Sequence, residues 1–237
     1  MTDAAGKSFV LVHGAWHGGW CWRRVADRLR AQGHHVFTPT LTGLGERAHL
    51  LSDDIDLSRH IEDVVAVLTH ERLEDVVLCG HSYGGLVISG VAERALPEIA
   101  SIVYLDAVVP GNGDSMAALV PAPVRAVIEA ALARGERTVP PRSAAAFNVN
   151  EADRAWIDSL CGPQPIGCMT ETIALTGAYE RVPRKSYIRA TGYPNPSFDA
   201  ALAKVRANPA WTTYEIDCGH DVMVDAPARL TEILLAA

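Results

Sequence analysis

Short apolar runs alternate with longer amphipathic stretches along most of the 237 residues. Phe9 to His13 (FVLVH) is a run closed by Gly14 and predicts a buried strand. From Trp20 to Gln32 the apolar residues Trp22, Val25, Ala26 and Leu29 fall at helical spacing, and Gly33 marks the stop. His35 to Thr38 predicts a second strand, and Leu57 to Leu73 a helix with Ile61, Val64, Val65 and Leu68 on one face. Asp75 to Cys79 (DVVLC) predicts a third strand, which runs through GHSYGG at 80–85 into a helical stretch from Leu86 to Leu96. Ile99 to Leu105 (IASIVYL) is a fourth.

Beyond Pro110 the rhythm breaks. Residues 110–180 carry helical patches and many prolines but no clear strand. Alternation resumes with a strand at Ser186 to Ala190, a helix at Phe198 to Arg206, a strand at Thr212 to Ile216 and a last helix near Pro227 to Leu235. Strands separated by helices of about ten residues or more imply an α/β fold, a parallel sheet with helices on both faces. The core is then 1–109 plus 181–237, and 110–180 is a mostly helical insertion capping one end of the sheet. Ligands bind at the carboxyl ends of strands in such sheets.

The length suits one domain, and 49% hydrophobic with 21% charged residues excludes disorder and coiled coil. A net charge of −7 argues against nucleic acid or an anionic membrane as partner. Five scattered cysteines without CxxC spacing suggest reduced thiols. The opening MTDAAGKSFV lacks a basic region followed by a long apolar core, and no apolar run is long enough to span a bilayer. The expectation is a cytoplasmic protein, monomer or homodimer, needing neither metal nor cofactor.

The sharpest local signal is Gly80-His81-Ser82-Tyr83-Gly84, a GxSxG placed between a strand and a helix. A serine on so sharp a turn adopts a strained backbone, and the glycines leave room for the turn to close. The helix N-terminus behind it offers free N–H groups to a developing oxyanion. A hydroxyl is a poor nucleophile without a base. Of nine histidines, His220 in CGHD (218–221) follows the last strand and so emerges at the same sheet end. His13 and His17 belong to the first loop, HGAWHGGW (13–20), and are better placed to shape an oxyanion site. In that loop the amide of Ala15 or Trp16 would join that of Tyr83 around the substrate oxygen. Trp16, His17 and Trp20 are candidates to line the substrate pocket. The loop lacks GK[ST] and GxGxxG, which argues against a phosphate cradle.

The combination HGAWHGGW, GHSYGG and CGHDVMVDAP resembles the α/β-hydrolase superfamily, in the branch of small carboxylesterases, plant methylesterases and hydroxynitrile lyases. The resemblance covers nearly the whole chain outside the insertion. It implies a sheet of about six strands, Ser82 as nucleophile, His220 as base, Ala15 and Tyr83 as oxyanion donors, and 110–180 as the cap. The family's usual acid follows the strand after the cap, but ATGYPNPS at 190–197 holds no carboxylate. Asp106, at the end of the fourth strand, is the candidate that keeps the order Ser, Asp, His. Asp199 and a plain Ser–His dyad are the alternatives. The implied activity is hydrolysis of a small, apolar or aromatic carboxylic ester, with carbamates and activated amides open to the same machinery. A lyase, a cofactor-free oxygenase or a non-catalytic receptor on the same fold are the competing readings. No lysine follows His220, which disfavours the hydroxynitrile lyase.

Overall fold

The structure is a computed structural model and describes residues 6–237; the first five residues, part of the stretch read for a leader, lie outside the described residues. The chain runs β1 (Ser8–Val12), α1 (Arg23–Arg30), β2 (His35–Phe37), α2 (Leu57–His70), β3 (Val76–His81), α3 (Gly84–Arg94) and β4 (Ile99–Leu105). Next come α4 (Met116–Leu119), α5 (Ala122–Ala133), β5 (Thr138–Val139), α6 (Glu151–Leu160), β6 (Gln164–Pro165), α7 (Gly167–Thr170) and α8 (Ala178–Arg181). The chain closes with β7 (Arg184–Ala190), α9 (Pro196–Arg206), β8 (Trp211–Ile216), α10 (Val222–Asp225) and α11 (Pro227–Ala236).

Six strands form one parallel sheet in the order β2-β1-β3-β4-β7-β8. The inner strands are buried along their length because helices cover both faces, so β1, β3 and β4 read as continuous apolar runs rather than alternating ones. Local chemistry sets the helix starts. The Asp56 side chain accepts from the Arg59 amide at the head of α2, and Asn195 with Pro196 opens α9. The segment before α3 has no such side-chain cap, which leaves its N-terminus open beside Ser82.

Two details depart from the sequence reading. The stretch 110–180 was expected to hold no strand, yet β5 and β6 pair antiparallel, Thr138 with Pro165 and Val139 with Gln164. Two residues a side carry no readable period. The helix expected from Trp20 starts as a 3₁₀ turn at Gly19–Trp22 and becomes α only at Arg23; Gly19 itself lies so close to the Thr38 carbonyl that even a Cβ would collide with it. Among the described residues no helix is long and apolar enough to cross a membrane.

Candidate active site

The carboxyl ends of the strands gather the chemistry. Ser82 follows β3, Asp106 follows β4, the Gly14–Trp16 loop follows β1, and His220 lies four residues past β8. Ser82 has φ 54°, left-handed for a residue with a side chain, and its amide donates to Leu105 O at 3.1 Å. Gly80 must be glycine, since a Cβ there would sit 2.5 Å from Gly84 O. Asp106 is also left-handed, at φ 41°. Two left-handed residues with side chains thus sit at adjacent strand ends.

His220 donates from Nδ1 to Asp106 Oδ2 at 2.7 Å, both groups being buried. The ring is held on all sides: Phe198 stacks at 5.3 Å, and Tyr193, Phe147 and His81 lie at 4.8, 5.2 and 4.4 Å. Its backbone is fixed too, donating to Phe147 O at 2.9 Å and accepting from His81 Nε2 at 3.0 Å. Asp199, the alternative acid, bonds Arg189 rather than histidine and is largely exposed. Among the described residues neither Ser82 Oγ nor His220 Nε2 has a hydrogen-bond partner; catalytic hydrogen bonds of this kind commonly tighten only around a substrate.

The loop after β1 packs directly on Ser82. A Cβ on Gly14 would come within 3.0 Å of Ser82 Cβ and 2.8 Å of His81 Nδ1, so glycine alone allows that approach. The Leu41 amide donates to His13 Nε2, which fixes the tautomer: Nδ1 carries the proton and donates to Gly14 O at 2.7 Å. Because the peptide is trans, pinning the Gly14 carbonyl also orients the Ala15 N–H on the opposite side. Burial pushes His13 down to about 3, so it stays neutral. The Trp16 amide, the other candidate donor, is taken by Gln164 Oε1 at 3.0 Å. The Ala15 and Tyr83 amides have no acceptor among the described residues.

The first loop departs from expectation at two aromatic positions. Among the described residues, His17 and Trp20 lie outside the cavity that Trp16 borders. His17 is buried with Nε2 on Asp221 Oδ2 at 3.1 Å and Nδ1 on Ala15 O at 2.8 Å, and Trp20 stacks on it at 5.4 Å while meeting Trp156 edge-on. The reason is electrostatic: Asp221, fully buried, draws the ring beneath the loop. Burial by itself would depress His17, but the charge and hydrogen bond of Asp221 override it and hold the imidazole well above its ordinary range. The same pairing keeps the Asp221 carboxyl well below its own, against the opposing effect of burial.

Trp16, by contrast, does line a cavity, of about 230 Å³, between the loop and the insertion. Val124, Ile128, Met116, Val139 and Met169 form its apolar wall, and Arg142 its one charged group. The Arg142 guanidinium lies over the Phe147 ring at 4.9 Å, and Phe147 packs between the Trp16 and His220 rings, so aromatic rings separate the cavity from the imidazole. Sequence reading missed Arg189, Asp221 and Gln164. A charged residue at the end of an otherwise buried strand is a legible signal for Arg189; nothing local marks Gln164.

The fold, with a serine on a tight strand-to-helix turn and a buried His–Asp pair at one sheet edge, is that of a hydrolase. Residues 9–233 match the Alpha/beta hydrolase family, and the chain belongs to that family. Within it the relatives are carboxylic ester hydrolases. A carbendazim hydrolyzing esterase of Nocardioides is 43% identical over 97% of this chain and 98% of its own length. Methyl jasmonate esterase 1 of Vitis vinifera is 37% identical over 44% of this chain and 41% of its own. A solved extracellular alpha/beta-hydrolase from Paenibacillus, described as sharing structural and functional homology to tobacco salicylic acid binding protein 2, superposes with a TM-score of 0.82 at 25% identity, covering 98% of both chains.

Proposed function

We propose that this carboxylic ester hydrolase works through an acyl-enzyme on Ser82 and accepts a small ester or carbamate with an apolar or aromatic part. The observation that carries the reading is the buried His220–Asp106 pair, 2.7 Å apart, set at the same sheet edge as a left-handed serine. Ser82 Oγ attacks the carbonyl carbon while His220 Nε2 takes its proton, and Asp106 holds the imidazole in the tautomer that makes Nε2 the base. The Ala15 and Tyr83 amides hold the oxyanion. His220 then protonates the departing alcohol or amine. Water, deprotonated by the same nitrogen, adds to the acyl-enzyme and releases the acid with Ser82 restored.

The cap cavity would receive the apolar part of the substrate, with the flat Trp16 indole as one wall. Carbamates and activated amides fit because they need the same steps, and a relative 43% identical is named for carbendazim hydrolysis. Five free thiols support a reducing, cytoplasmic setting. The test is labelling with a fluorophosphonate, followed by peptide mapping. Modification of Ser82 that is lost in His220→Ala is the expected result; labelling elsewhere, or none, would sink the mechanism.

A further inference from the structure

We propose that Arg189 is a positioning residue for the hydrolysis, clamping Asp106 from the side opposite His220 so that only Oδ2 is presented to the imidazole. The inference rests on the reading of Asp106 as the acid. Asp106 is fully buried, so each carboxylate oxygen must find a protein partner. Oδ2 accepts from His220, while Oδ1 accepts from Arg189 Nη1 at 2.8 Å and from the Ala190 amide at 3.1 Å. Those two bonds stop the carboxylate turning about its own axis. Arg189 is itself immobilised at 3% exposure: Nη2 donates to Tyr193 O at 2.8 Å, Nη1 also donates to Ala190 O, and Nε donates to Asp199 Oδ1 at 2.9 Å. A planar fork serves all four acceptors at once, which an ammonium cannot do. The result is a chain from the surface inward: Asp199, Arg189, Asp106, His220.

The chain also sets the charge felt by the base. His220 faces Asp106 directly, with the His81 ring at 4.4 Å, Asp221 next in sequence, Cys218 in the same turn, and Arg189 and Asp199 behind Asp106. Arg189 shares the Asp106 charge, so its removal leaves that charge to the imidazole alone and makes protonation of the base easier. Losing Asp199 does the reverse, because the guanidinium then serves one carboxylate.

The experiment takes the whole enzyme with p-nitrophenyl acetate and follows kcat and KM against pH. Arg189→Met should lower kcat by about 10- to 100-fold with KM within about twofold, as loss of an orienting partner does. Its acid limb should move to higher pH. Arg189→Lys should recover only part of kcat, and Asp199→Asn, at an exposed position, should move the acid limb to lower pH. An acid limb that stays in place in Asp199→Asn, or a full kcat in Arg189→Lys, overturns the proposal whatever happens to Tm; those two variants decide it even if Arg189→Met does not fold. Asp106→Asn in the same series separates the levels. Near-full kcat there would mean that the acid itself was misassigned, whereas a collapse there beside unaltered Arg189 variants rejects the clamp alone.

Discussion

Ser82 holds an unfavourable backbone conformation because its position demands it, not because serine prefers it. At φ 54° it sits where a Cβ crowds the carbonyl, and such residues cost about 1–3 kcal/mol each. Glycine escapes that cost. Ser82→Ala and Ser82→Gly should both lose turnover by roughly 10³-fold or more. Ser82→Gly should also unfold later than Ser82→Ala, by about 1 kcal/mol or a few degrees in Tm, and calorimetry of the two proteins settles it. The places of Ser82 and His220 at one sheet edge were legible because GHSYG and CGHD each follow a strand. Arg189 and Asp221 were harder to see, since the partner of each lies 83 and 204 residues away. His17 misled for the same reason. A histidine in a glycine-rich loop looks available until the distant carboxylate that claims it is known.

At the scale of elements, Trp16 is one of several residues that tie the insertion to the core. Trp16 donates its amide to Gln164 and its indole Nε1 to Val139 O, and accepts from the Gly162 amide, so β5 and β6 hang from the loop that borders the nucleophile. Gln164→Leu would leave the Trp16 N–H buried without a partner, at about 1–3 kcal/mol, and a lowered Tm together with a raised KM is the expected outcome. Thermal melts and initial-rate curves check both. Val124→Trp should fill part of the cavity; KM for aromatic esters should rise about tenfold while acetate esters are little affected. The core elements were readable from periodicity because each is long and apolar. The ribbon was not, because its pairing depends on where the two segments are held rather than on what they are made of.

For the whole molecule, acid stability follows from histidines that fold neutral. Burial lowers His13, His60 and His81 from their ordinary value of 6.5, so the unfolded chain takes up their protons first and stability falls as pH drops below 6.5. His17 runs the other way. Its raised value gives stability fully present below 6.5 and lost as pH climbs through that raised value. Asp221, depressed below 3.8, adds stability that is lost only as pH falls beneath that ordinary value. The sum is a curve of Tm against pH with its maximum near neutrality, steepest on the acid side. His17→Gln should lose about 3–5 kcal/mol by stranding the Asp221 charge and should flatten the alkaline shoulder. Scanning calorimetry across pH reads both.

The stretch of chain that separates Ser82 from His220 also bears on how the enzyme comes into being. A ribosome delivers Ser82 before His220, so the growing chain carries that hydroxyl for a time with nothing to rouse it. Hydrolytic competence should therefore arrive abruptly rather than by degrees, once the segment that carries His220 has left the exit tunnel.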